Sequence, residues 1–192
     1  TTGCQEDMTG SGTINIIAAP QVFTMIPVAQ YCPGGIGAPV ELSGSDAGVD
    51  YKLYRGTTLL GTYSGTGAGR LAMGTWTAGT YTAVAVDATY GCTSNMAGNE
   101  AVSTYALPAA YSVTGGGSYC PASSTGLHVG LANSGDGVKY QLSNGSPVGT
   151  EILGTTGTSI DFGEFSTGTF TVSARDTLTG CTNNMTGSAT RS

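Results

Sequence analysis

The chain has 192 residues, of which 9% are charged and 39% hydrophobic, and its net charge is −6. Disordered chains combine low hydrophobicity with high charge, so this composition indicates a folded protein. The six basic residues are scattered, which argues against the clustered positive surface that nucleic acids and anionic membranes require. No apolar run approaches the ~20 residues of a membrane-spanning helix. We therefore expect no nucleic-acid partner and no membrane insertion.

Short runs of alternating apolar residues predict β-strands along the whole chain. In chain order they are centred on Val40 and Leu42, Tyr51 and Leu53, Tyr81 to Val86, Val129 and Leu131, Tyr140 and Leu142, and Phe170 and Val172. Glycine-rich turn sequences recur between them about every 10 residues, and no window shows helical periodicity with capping residues. This pattern predicts an all-β fold, with roughly seven strands in each half, which is typical of a sandwich.

A cysteine–methionine marker recurs at a nearly constant spacing. Cys4, Cys92 and Cys181 each follow a glycine and precede a methionine by four residues, with separations of 88 and then 89 residues. Three further markers keep the same offset: Tyr-Cys-Pro, Gly-Val-x-Tyr-x-Leu, and Gly-Thr-Tyr/Phe-Thr followed by aspartate. One offset held over four separated markers indicates an internal repeat.

The repeat predicts the domain organisation. Residues 1–18 read as the tail of a preceding repeat, residues 19–106 as one Ig-like module of about 88 residues, and residues 107–192 as a second. Because the chain opens in the middle of the pattern, we expect a segment of a longer tandem array.

The markers resemble the Ig-like and PKD-like tandem repeats of large surface proteins in Bacteroidota-type bacteria, including the SprB-type adhesin repeats of gliding species. The likeness covers nearly the whole chain, although Leu53 and Leu142 stand where many relatives carry a tryptophan. It implies a cell-surface adhesin or filament exported by type 9 secretion. It does not fix a ligand.

The five cysteines predict structural disulfides in an oxidising compartment. Two pairings agree with the repeat. The first joins Cys32 to Cys92 and Cys120 to Cys181, and leaves Cys4 for a preceding repeat. The second joins Cys4 to Cys32 and Cys92 to Cys120, and leaves Cys181 for a following one. The habit of the resembling family, in which single modules carry both cysteines, favours the first.

Candidates for binding or modification are few. Asp87 and Asp176 end equivalent strands, where a turn carboxylate accepting backbone N–H bonds is the favoured interpretation and a Ca²⁺ ligand the alternative. Thr177 lies in an Asp-Thr-apolar sequence that resembles a glycosylation site of this bacterial group, although an ordinary turn is the favoured interpretation. His128 alternates with apolar neighbours and is predicted at the surface. Trp76 is predicted in the core, although it could form a carbohydrate-stacking face with exposed tyrosines.

No recurring residue looks catalytic, so we expect no enzyme activity, no cofactor and no metal site. The predicted function is a structural, non-catalytic segment of a long extracellular adhesin or filament. Its predicted partners are neighbouring repeats, further copies in a fibre, and surface polysaccharide. The alternatives are a carbohydrate-binding module, or an accessory array in a secreted polysaccharide-degrading enzyme.

Overall fold

The computed structural model of the chain describes residues 3–4, 9–27, 30–118 and 127–191. Within these ranges the chain forms sixteen β-strands, and it has no helix that could span a membrane. The first eight strands are β1 (Met25–Ile26), β2 (Ala38–Leu42), β3 (Val49–Arg55), β4 (Thr58–Ser64), β5 (Leu71–Trp76), β6 (Gly79–Asp87), β7 (Thr93–Asn95) and β8 (Glu100–Val102). The second eight are β9 (Val113–Gly115), β10 (Leu127–Leu131), β11 (Val138–Ser143), β12 (Pro147–Leu153), β13 (Ile160–Phe165), β14 (Gly168–Asp176), β15 (Thr182–Asn184) and β16 (Ala189–Arg191).

Contacts between residues divide the described chain into two compact units. The first contains the described residues before 28, Pro39–Gly74 and Gly79–Ala101. The second contains residues 30–38, Thr75–Ala78 and the described residues from 102 onwards. Three short segments of the first sequence repeat, residues 30–38, 75–78 and 102–106, therefore belong to the second unit. The repeat bounds at 18/19 and 106/107 remain predictions.

The first eight strands and the second eight have the same strand order. In the first set, β1-β2-β5 form one sheet and β4-β3-β6-β7 form the other, with β8 also paired to β6. In the second set, β9, β10 and β13 form the smaller sheet, and β12-β11-β14-β15 with β16 form the larger. Since β15 and β16 pair with successive parts of β14, the eight strands of that set occupy about seven positions. The predicted all-β sandwich fold is confirmed.

Alternating side chains from both sheets fill the core of the second unit. β11 reads buried, half-buried, buried along its length, as the sequence alternation predicts. The core contains Val129, Leu131, Val138, Tyr140, Leu142, Ile160, Phe170, Val172, Ala174, Met185 and Ala189. The first set of strands buries the matching residues, including Val40, Leu42, Tyr51, Leu53, Tyr81, Ala83 and Met96.

A tyrosine at the centre of each core ties a loop to the sheet. The hydroxyl of Tyr51 accepts the N–H of Asp46 at 2.9 Å, and the hydroxyl of Tyr140 accepts the N–H of Gly135 at 3.0 Å. Both side chains are fully buried, and burial raises the pKa of Tyr51 and of Tyr140. A buried hydroxyl needs a hydrogen-bond partner. In both repeats that partner is the backbone N–H five residues before the tyrosine.

Candidate functional site

The methionine of the repeated marker holds the start of each repeat. The Met96 sulfur accepts the N–H of Phe23 at 3.4 Å, and the Met185 sulfur accepts the N–H of Tyr111 at 3.4 Å. Both methionines are 6% exposed. The residue after each one completes the contact, since the N–H of Ala97 donates to Phe23 O at 2.8 Å. The sequence showed that this methionine recurs, but not that it binds the residues just before the first strand of its repeat.

A side chain two residues before each methionine reinforces that contact. The Ser94 hydroxyl donates to the carbonyl of Pro20 at 2.7 Å, and the Asn183 amide donates to the carbonyl of Pro108 at 2.8 Å. The two bonds occupy equivalent positions in the two repeats although the donors differ. The segment after the repeated cysteine is therefore an attachment site for the residues that begin the same repeat.

The structure joins Cys32 to Cys181, with their Cα atoms 5.4 Å apart and 149 residues between them in sequence. This bond belongs to neither predicted pairing, so the pairs Cys32–Cys92, Cys120–Cys181 and Cys4–Cys32 are wrong. The reason is that residues 30–38 lie in the second unit, where Cys32 reaches Cys181. Among the described residues, Cys4 and Cys92 carry free thiols, and Cys120 lies outside the described ranges.

Backbone contacts on both sides of Cys32 fix its position. Tyr31 bridges Thr104 in parallel, and its N–H donates to the carbonyl of Ser103 at 3.2 Å. After the cysteine, the N–H of Gly35 donates to Cys32 O at 3.0 Å, and Gly34 has a φ of +83°. A proline followed by glycine at positive φ is the sequence of a type II turn. The Tyr-Cys-Pro marker thus places its cysteine at the first position of a tight turn.

Asp87 and Asp176 serve as turn carboxylates, which is the favoured interpretation of their positions. Asp87 Oδ1 accepts the N–H groups of Thr89 and Tyr90 at 2.9 and 2.7 Å. Asp176 Oδ1 accepts the N–H groups two and three residues on at the same two distances. The N–H and hydroxyl of Thr179 lower the pKa of Asp176. Nowhere in the described ranges do three or more His, Cys, Asp or Glu side chains form a group that could hold a metal ion.

His128 lies at the surface, as predicted, and bridges two carboxylates. Its Nδ1 is 2.6 Å from Asp161 Oδ2, and its Nε2 is 3.3 Å from Glu164 Oε1. The N–H of Gly163, and then His128, hold the pKa of Asp161 below its usual range. The histidine is paired with β13 by strand register, opposite Glu164. Sequence alternation gave the exposed face, but the two partners follow from the pairing of distant strands.

An open groove lies beside this cluster in the second unit. Val148, Gly149, Thr150 and Ile152 of β12 line one side, and Phe162, Gly163, Glu164 and Phe165 of β13 line the other. Phe165 also packs on Phe170 of the core, with ring centroids 4.6 Å apart. Among the lining residues, Phe162 and Phe165 are partly buried and pack against the core, and Glu164 is exposed.

The remaining predicted residues have separate positions. Thr177 is exposed, and its hydroxyl donates to the carbonyl of Gly137 at 2.7 Å. Trp76 is half-buried at the end of β5, so its predicted core position is met only in part. Tyr90 is 64% exposed in the turn after Asp87. Tyr63 and Tyr105 are half-buried, so Tyr90 is the one exposed tyrosine of the three considered with Trp76 for a carbohydrate-stacking face.

Comparisons with known proteins identify no family. No protein-family model matches the chain, and no curated protein matches it. Among solved structures, the chain is similar to the fibronectin(III)-like modules of CbhA from Clostridium thermocellum. The two share 12% sequence identity over 88% of this chain and 94% of that one, with a TM-score of 0.34.

Proposed function

We propose that the chain is a structural, non-catalytic segment of an extracellular tandem-repeat protein that serves as a surface adhesin or filament. The observation that supports this most is which contacts recur. Three contacts are present in both repeats with nearly equal distances: the methionine sulfur that accepts an N–H near the start of its repeat, the buried tyrosine hydroxyl, and the aspartate turn. Each of the three contacts stabilises the fold of its own repeat.

The histidine–carboxylate cluster, the arrangement most like a catalytic site, does not recur between the repeats. The His128 cluster is confined to one repeat, because the chain contains a single histidine. A reaction carried out by an array needs its residues in each active module, whereas a structural role needs only the repeated framework. The repeat pattern therefore favours a structural function over an enzymatic one.

The extracellular location is compatible with the disulfide, since such bonds persist in oxidising compartments. The Bacteroidota-type origin, type 9 secretion and a part in gliding rest on the sequence resemblance alone, and we include them in the proposal.

Immunogold electron microscopy on cells that produce the protein tests this role. An antibody raised against the 192-residue chain is expected to label fibres or the outer surface of intact cells. Label that appears only after the cells are opened contradicts the proposal. An unrelated cytoplasmic antigen serves as the control for cell integrity.

The groove on the second unit favours carbohydrate binding as a second candidate function. Phe162 lines the groove and is only partly buried, so the accessible part of its ring can contact a sugar ring, and Glu164 can accept hydrogen bonds from sugar hydroxyls. A glycan array probed with the wild-type chain and with Phe162→Ala tests it. Leu178→Ala is a matched control, because Leu178 is 93% exposed and lies outside the groove. Binding that Phe162→Ala removes and Leu178→Ala retains supports this function, and no binding by the wild type refutes it.

A further inference from the structure

We infer that Cys92 is a docking cysteine: it bonds to the cysteine of a Tyr-Cys-Pro segment supplied by another repeat, as Cys181 bonds to Cys32. The inference deepens the proposed structural function and rests on it in one respect, the oxidising location. It names the partner by its sequence and chemistry.

The loops that carry Cys92 and Cys181 have the same backbone structure. The N–H of Asp87 donates to Cys92 O at 2.8 Å, and the N–H of Asp176 donates to Cys181 O at 2.9 Å. The glycine before each cysteine donates to the carbonyl of the same aspartate, at 2.9 and 3.0 Å. Each cysteine is followed directly by a short strand, β7 or β15, paired in the same way to the long strand before it.

The bonded copy shows what this loop binds. Cys181 is 1% exposed and holds Cys32, so the loop structure is able to seat a cysteine-bearing segment. Cys92 occupies the equivalent place, carries a free thiol and is only partly buried. Because the two loops share their hydrogen bonds, the same kind of segment fits beside Cys92.

The sequence next to Cys32 defines that segment. Tyr31 positions it by two backbone hydrogen bonds, and its hydroxyl accepts the N–H of Ala78 at 3.0 Å. Tyr119, Cys120 and Pro121 repeat the marker in the second repeat. Since Cys32 is already bonded, Cys92 needs a different Tyr-Cys-Pro cysteine. We assign this cysteine to Cys120 of a second copy of this chain, which carries the same marker sequence.

The chemistry is thiol–disulfide exchange with a small-molecule disulfide such as oxidised glutathione. The Cys92 thiolate attacks one glutathione sulfur, forms a mixed disulfide and releases one glutathione thiolate. The partner thiolate then attacks the Cys92 sulfur and releases the second glutathione thiolate. Two protein thiols are oxidised, one glutathione disulfide is reduced, and the two protein protons pass to the released thiolates.

A mixing experiment with the full chain tests the pairing. Cys4→Ser/Cys92→Ser leaves Cys120 as the free thiol, and Cys4→Ser/Cys120→Ser leaves Cys92. Equal amounts are incubated in a glutathione redox buffer, quenched with an alkylating agent and separated without reductant. We expect nearly all disulfide-linked dimer to be the heterodimer, and mass spectrometry to find the Cys92 peptide linked to the Cys120 peptide.

Two controls separate recognition from simple reactivity. In concentrated guanidinium the heterodimer is expected to fall to the share that random pairing gives, because the folded loop is lost. The single variant Cys4→Ser keeps both thiols and is expected to form head-to-tail chains. A random share under native conditions overturns the inference, and so does an intrachain Cys92–Cys120 bond in the monomer. Neither result changes the outcome of the immunogold test, so the two proposals can fail separately.

Discussion

Truncation of Met185 is expected to destabilise the second unit by about 3 kcal/mol. The side chain is 6% exposed within the core of that unit, and Met→Ala changes at such sites cost roughly 2–5 kcal/mol. The change also removes the sulfur that accepts the N–H of Tyr111. Because Tyr111 is only half-buried, water can replace the sulfur in part, so we place the cost in the middle of the range.

Met185→Leu separates packing from the sulfur contact. Leucine conserves most of the volume, so this change is expected to cost less than about 1.5 kcal/mol. Amide hydrogen exchange at Tyr111 is nevertheless expected to speed up in both variants, because neither retains an acceptor there. Met96→Ala is the matched change at the equivalent position of the first repeat.

Urea unfolding followed by circular dichroism measures the stability, and nuclear magnetic resonance measures the exchange rate. If the free energy of unfolding of Met185→Ala lies within about 0.5 kcal/mol of the wild-type value, the Met185 side chain does not stabilise the unit as argued. Unchanged exchange at Tyr111 in both variants shows that the sulfur is not its acceptor.

Three further predictions concern the disulfide, a buried hydroxyl and a turn. Cys32→Ser/Cys181→Ser should lower the unfolding free energy by up to about 5 kcal/mol, from the loop entropy of a 149-residue separation, and reductant should then have no further effect on urea unfolding. Tyr140→Phe should cost about 1–3 kcal/mol by calorimetry, because the N–H of Gly135 loses its acceptor. The pKa of Asp176 is lower in the folded protein than in the unfolded chain, so this carboxylate stabilises the fold at a pH above its unfolded-state pKa. That stabilisation is lost as the pH falls through the folded-state pKa. The melting temperature of Asp176→Asn should therefore change less with acidic pH than that of the wild type.

The sequence predicted the fold because local patterns set it. Alternation around Tyr51 and Tyr140 predicted that these side chains lie in the core, and the constant offset predicted two repeats of the same fold. The structure then gave both repeats the same strand order. The turn function of Asp176 was likewise readable, since its partners are two and three residues away. Such features depend on neighbours in sequence.

The disulfide and the histidine cluster depend on distant parts of the chain. Both predicted pairings for Cys32 respected the repeat, but residues 30–38 pack with the second unit, and no local pattern encodes that assignment. His128 meets Asp161 and Glu164 through the pairing of β10 with β13. Strand register can be argued only after the strand order is known.

The Cys32–Cys181 disulfide closes a covalent loop around the residues between the two cysteines. A stretching force applied outside this loop is therefore transmitted through the disulfide and not along the enclosed backbone. Tension between residues on either side of the loop crosses two sulfur atoms and does not reach β2 to β14. Fully drawn out, the enclosed segment would lengthen the chain by roughly 500 Å, and the bond withholds that length. Under oxidising conditions both sandwich cores are therefore largely spared from stretching. A reductant turns the same molecule into one that can be extended.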